Sequence, residues 1–283
     1  MTPVARPTAP PPPEGRAGVG RRTRGARVPL ALFVPAGLGL AFLVLPLLGL
    51  LAHTPWAELP QRLAAPGVLA ALRLSLLTAT FATLLCLALG VPLAWLLARV
   101  PFPGRRLVRA LVTVPLVLPP VVGGVALLLV FGRRGLLGGW LDATLGVTLP
   151  FTTAGVVLAE AFVAMPFLVI AVEGALRGAD ARYEEAAATL GASRWTTFTH
   201  VTLPLVAPGV AAGAVLCWAR ALGEFGATIT FAGNYPGRTQ TMPLAVYLAL
   251  ETDVEAAIVL SLVLLTVSVA ILAGLRDRWI TGP

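Results

Sequence analysis

Six stretches of this sequence are apolar over enough residues to cross a lipid bilayer, and nothing else in the chain limits the fold so severely. A helix needs about 20 residues to span the hydrocarbon core. The stretches run approximately over 28–51, 68–97, 107–131, 152–172, 205–231 and 254–275. The expected fold class is an all-α membrane protein with six transmembrane helices. Composition points the same way, with 57% of residues hydrophobic and 12% charged, far from the balance of a soluble domain.

Residues 1–27 are rich in Pro, Gly and Arg and poor in large apolar side chains. They read as a disordered tail ahead of a transmembrane domain over 28–283. The first apolar segment is too long and too apolar for a cleaved signal, so a retained span is expected. Several spans carry proline, which lipid-embedded helices tolerate when neighbours satisfy the freed carbonyls. Pro119-Pro120, followed by Gly123-Gly124, should bend or break the third span.

All 21 basic residues are arginine, because the sequence has no lysine. A phosphate-cradling loop of the Gly-x-x-x-x-Gly-Lys-Ser/Thr type therefore cannot form. Any ATP used must be bound and hydrolysed by another chain. The net charge of +8 lies beside apolar spans and not in a polar patch, so nucleic acid is not an expected partner. The arginines also orient the chain. With the N-terminus inside, the inner segments hold fifteen, among them Arg99, Arg109, Arg177, Arg182 and Arg194. The outer segments then hold four: Arg62, Arg133, Arg134 and Arg238. Basic loops stay inside, so both termini and the loop between spans four and five are expected to be cytoplasmic. Cys86 and Cys217 read as core filling, His53 and His200 as non-catalytic, and no metal-ligand spacing occurs.

That inner loop, Asp180–Pro204, is the longest polar island between spans. Asp180 is a candidate N-cap and Gly191 a candidate helix stop. Tyr183, Ala187 and Leu190 make one apolar stripe. Ser193 would cap a second short helix that Pro204 helps to end. Ala186, Ala187 and Ala188 leave a thin surface that another protein could approach closely.

Glu185-Ala186-Ala187, then three residues, Gly191, then nine residues, and Val201-Thr202-Leu203-Pro204 resemble the coupling loop of the membrane subunits of ABC importers fed by a binding protein. That family usually has Ile at the position of Val201. The resemblance implies a type I importer permease fold. It also implies that Glu184, Glu185, Ala186, Ala187, Gly191, Ala192, Arg194, Leu203 and Pro204 couple the chain to an ATPase.

Charges inside spans need a reason. Arg220 and Glu224 stand four residues apart in the fifth span and share a helix face. They read either as a self-neutralising pair or as a polar patch on an anion pathway, with Arg220 attractive. Glu160 in the fourth span is expected to pair with Arg220 or line the same cavity, and Arg73 to snorkel. Gly223, Gly226 and Ala227 allow close contact or a break, which would expose backbone N–H groups suited to an oxyanion. The run Gly223-Glu224-Phe225-Gly226-Ala227-Thr228 looks like the fifth span of importers for tetrahedral oxyanions: molybdate, tungstate and sulfate. Residues 115–123, 131–135 and 239–247 look like molybdate permeases. The Thr239 and Thr241 hydroxyls read first as a polar helix start outside the membrane, and second as hydrogen-bond groups for an anion or a docked partner.

What the resemblance implies is a permease for molybdate or a close oxyanion in the bacterial inner membrane. It would act as a homodimer in contact with lipid, with two ATPase subunits carrying ATP-Mg and an external oxyanion-binding protein. The chain itself would bind no cofactor and catalyse nothing. Arg220, Gly223, Glu224, Gly226, Thr228, Pro119 and Pro120 would line or gate the pathway. Alternatives are a sulfate, thiosulfate or tungstate permease, an ion-gradient-driven anion carrier, and a membrane scaffold without transport.

Overall fold

The computed structural model describes residues 32–280, less the side chains at 272 and 275–280. The tail expected over 1–27 and the start of the first span lie outside the described residues. The chain divides into two units at Gly49/Leu50. Most of α1 (Phe33–Ala52) belongs to the first; it is 20 residues long, with a mean hydropathy of 2.3 and Pro46 inside it.

The second unit runs α2 (Leu59–Leu63), α3 (Pro66–Arg99), α4 (Arg105–Val117), α5 (Pro120–Phe131), α6 (Gly138–Leu145) and α7 (Thr153–Gly178). There follow α8 (Arg182–Thr189), α9 (Arg194–Thr197), a π-helical turn (Phe198–Thr202), α10 (Leu203–Leu222), α11 (Gly226–Phe231), α12 (Met242–Thr252) and α13 (Val254–Ile280). Among the described residues, five helices are long and apolar enough to cross a membrane, or six if the bent pair α4–α5 counts as one span.

Proline places several of these ends. Pro66 and Pro120 open α3 and α5 in their first turns, where the missing N–H costs nothing. Val100 and Leu118, each preceding a proline, are extended and close α3 and α4, as steric conflict with the proline ring requires. The expected break of the third span is therefore present, and it is severe: the helix direction bends by 118° between α4 and α5. Thr152 caps α7 by accepting from Gly155 N–H at 3.0 Å.

The core lies where α3, α7 and α10 pack together. Many of its buried side chains are small, among them Ala79, Ala82 and Cys86 from α3, Ala161 and Ala164 from α7, and Cys217 and Ala221 from α10, packed with larger ones such as Leu97, Leu168 and Leu176. The two cysteines fill core, as expected. A Cβ at Gly209 would collide with the Ala175 side chain, and one at Gly213 would lie 3.0 Å from Ala171 Cβ. Small residues let helix backbones approach where lipid supplies no hydrophobic drive.

Of the two alternatives that Gly223, Gly226 and Ala227 allow, the fifth span takes the break, at Gly223–Phe225. One expectation is corrected here. Pro204 does not end the short helix after Ser193. It sits in the first turn of α10, and Arg194–Leu222 forms one long helical run. The π turn makes this possible, because Leu203 N–H reaches back five residues to Phe198 O, and the loosened turn leaves room for the proline ring.

Away from the core, Arg62 ties α2 to the start of α13, with Glu58 at 2.9 Å, Asp253 at 2.9 Å and Glu255 at 2.6 Å. Asp253 also accepts from Ala256 N–H. That bond, and then the Arg62 guanidinium, hold its carboxyl below its ordinary 3.8. A depressed carboxylate stabilises the fold above its unfolded value, and that contribution disappears as pH falls through the folded one. The Arg62 guanidinium is raised, chiefly by Asp253, and stays charged throughout that range. Melting of the detergent-purified protein should thus lose more stability between pH 5 and about 3 than Asp253→Asn does. Equal acid sensitivity would show that the tie contributes nothing.

Candidate functional site

The polar segment between α7 and α10 folds as the helix, glycine turn and helix that its sequence calls for. α8 begins from Ala181, not from Asp180. Asp180 instead contributes through its side chain, whose Oδ1 accepts from Arg182 N–H at 3.0 Å. Gly191 ends α8 with φ at +84°. Its N–H donates to Ala188 O, and Ala192 N–H donates to Ala187 O, both at 3.0 Å. This pair of bonds is the Schellman closure, and the left-handed residue within it favours glycine. Ser193 Oγ accepts from Thr196 N–H at 3.1 Å and caps α9.

The elbow so built presents apolar side chains outward. Leu190 is 88% exposed, Trp195 73% and Tyr183 59%. Glu185, Ala186, Gly191, Arg194 and Pro204 are exposed, whereas Ala187, Ala192 and Leu203 are half-buried. Glu184 is half-buried as well, and its side chain turns inward. Its Oε1 accepts from Arg99 Nε on α3 and from Thr202 Oγ1 on the π turn, each at 3.1 Å. Trp95, one turn before Arg99, meets Phe198 edge-on at 5.9 Å. A cavity of about 310 Å³ opens between these groups and the elbow, with Arg99, Glu184, Arg194 and Phe198 in its wall. Trp95, Arg99 and Phe198 carried no sequence signal for this place. Arg99 counted only toward topology.

The second set of expected residues gathers at the two breaks. A Cβ at Gly226 would meet Pro120 Cβ at 2.8 Å, and one at Gly124 would meet Thr230 Cβ at 2.6 Å. Pro120 and Gly226 thus bring the two interruptions against each other, α5 packing on α11. Arg220 Nη2 pairs with Glu224 Oε2 at 2.7 Å. Glu224 Oε1 accepts from Ala227 N–H at 2.8 Å. The break was expected to leave N–H groups for an oxyanion, but at Ala227 the chain's own carboxylate already holds that position. Thr228 is fully buried, its hydroxyl without a hydrogen-bond partner. Gly223 is exposed in the break itself, as is Pro119 in the other.

Glu160 does not pair with Arg220. Its Oε1 accepts from Thr78 Oγ1 on α3 at 2.9 Å, and it is 1% exposed. Of the two readings of Thr239 the structural one holds: its buried hydroxyl accepts from Tyr235 N–H at 2.9 Å and shapes its own loop. Thr241 is buried too, so neither hydroxyl is presented to a docked protein.

Residues 90–282 match the family model described as the binding-protein-dependent transport system inner membrane component. The molybdenum transport system permease protein ModB of Mycobacterium bovis is 48% identical over 251 residues, 89% of this chain and 95% of that protein. The sulfate transport system permease protein CysT of Escherichia coli is 39% identical over 238 residues, 83% of this chain and 86% of that one. Among solved structures, a bacterial ABC transporter that imports the acidic polysaccharide alginate superposes with a TM-score of 0.73. The match covers 89% of this chain and 95% of that one at 18% identity, which speaks for the fold alone. An all-helical chain with five or six apolar crossings, a glycine-closed elbow before the fifth and this similarity lead to one statement: the chain belongs to the family of binding-protein-dependent transport system inner membrane components.

Proposed function

We propose that the chain is the membrane permease of an ATP-driven importer for molybdate or a closely related tetrahedral oxyanion. The observation that carries the substrate class is the 48% identity to a molybdenum permease along 95% of that protein, against 39% to a sulfate permease. Two copies would enclose the pathway, each meeting one ATPase subunit, and an external binding protein would deliver the anion. The arginine distribution supports placing both termini and the elbow inside the cell.

On this reading the exposed face of the elbow meets the ATPase, through Glu185, Ala186, Arg194 and the outward apolar side chains. ATP binding draws the two ATPases together. The elbows follow, and the spans open outward to receive the anion. Hydrolysis on the partner chain restores the inward-facing state. The permease supplies no covalent chemistry, and a sequence without lysine lacks the phosphate-loop residue for it. Selectivity rests with the binding protein. The pathway need attract the anion only weakly, since tight binding there would slow release. Arg220 suits this role because Glu224 neutralises it whenever no anion is present.

Proteoliposomes containing the permease, its ATPase and its loaded binding protein should take up labelled molybdate only with ATP. Excess tungstate should compete more strongly than sulfate. Uptake driven by an ion gradient without ATPase would overturn the reading, and stronger competition by sulfate would transfer it to the sulfate class.

A further inference from the structure

We infer that Glu184 is a positioning residue, a latch that makes the elbow, the end of α3 and the root of α10 move as one. The inference rests on the proposed reading of the elbow as the ATPase contact. A carboxylate in the first turn of an exposed helix would ordinarily face water and offset the helix dipole. Glu184 turns inward instead. Its side chain is 21% exposed and that of Arg99 17%. One oxygen, Oε1, takes both Arg99 Nε and Thr202 Oγ1 at 3.1 Å. Arg99 Nη2 also donates to Ala179 O at 3.4 Å, where α7 has just ended. One carboxylate and one guanidinium thus join α3, α7, α8 and the π turn.

A second contact repeats the connection one turn away. Trp95 lies four residues before Arg99, and Phe198 four before Thr202. The two rings meet edge-on at 5.9 Å. The π turn between Phe198 and Thr202 interrupts the α-helical hydrogen-bond pattern of the run, and such turns are frequent at functional sites. Without the latch, force on α8 would be absorbed by that turn and by the adjacent cavity of about 310 Å³. With it, displacement of α8 is passed to α3, which packs along α7, and to α10. Neither partner is fully buried, so the charge attraction is screened and modest. The shared geometry makes the latch, and a half-solvated pair can open and re-form within a cycle.

The test measures anions imported per ATP hydrolysed by the full complex in proteoliposomes. Glu184→Gln should lower that ratio by about tenfold, a typical coupling free energy, while ATP hydrolysis still responds to the loaded binding protein. The exchanged pair Arg99→Glu with Glu184→Arg should restore most of it. A residue that only stabilised the N-terminus of α8 would behave otherwise: the ratio would hold in Glu184→Gln, and arginine there would make matters worse. Should Glu184→Gln fail to assemble, Thr202→Val removes one arm alone and should lower the ratio about threefold. An unchanged ratio in whichever variant assembles overturns the latch and leaves the permease reading intact. A wild-type complex whose uptake ignores ATP overturns both.

Discussion

Replacing Gly191 with proline will abolish uptake while leaving the chain in the membrane. Gly191 holds φ at +84°, and proline is locked near −65°. Its N–H donates to Ala188 O, and proline has none to donate. The left-handed conformation costs an L-residue about 1–2 kcal/mol, and the lost bond about 1 kcal/mol more. A three-turn elbow with no buried side chain in α8 cannot absorb that, so the closure opens and α8 no longer faces α9 at its set angle. Insertion is decided by the apolar spans, which the substitution does not touch. Uptake should fall by at least about 100-fold, with membrane levels near wild type. Gly191→Asn, which tolerates the left-handed region, should keep much of the activity. Proline-substituted protein importing at half the normal rate would show that the elbow transmits nothing.

The second large effect is expected from Glu224→Ala. Glu224 is 1% exposed and satisfies two donors at once, Arg220 Nη2 and Ala227 N–H. Removing it leaves a guanidinium without its counter-charge inside the protein and uncaps α11 at the break. Breaking one side of a buried pair costs about 3–5 kcal/mol. The lower end applies here, because the Arg220 side chain keeps 27% exposure. Purified protein should melt roughly 5–10 °C lower. Arg220→Met with Glu224→Met should recover most of that loss, since replacing both partners by apolar groups is often neutral. If Arg220 also serves the anion, the double variant will be stable and transport poorly. Wild-type uptake by the double variant would reduce the pair to a structural tie.

The sites differ in how far the sequence reveals them. The elbow was legible because its signals are local: Ser193 and Gly191 act on donors and acceptors within a few residues. The bend at Pro119-Pro120 was legible for the same reason, though its angle was not. Pro204 was misread because proline ends one helix and begins another equally well, and the π turn that decides between them has no sequence mark. The partners of Glu160 and Glu184 were out of reach. Thr78 is 82 residues from Glu160, and Arg99 is 85 from Glu184. No spacing rule spans such separations.

By itself, then, the sequence determined that this is a helical membrane chain and where its elbow turns. Those properties come from transfer of apolar residues out of water and from backbone conformations set by proline and glycine. Only the tertiary structure decided that Glu184 faces inward, that Glu224 occupies the break it was expected to leave open, and that Pro120 meets Gly226. Each depends on which helix lies alongside which, and in lipid that choice rests on close packing of small side chains, a property of pairs of surfaces and not of any one stretch.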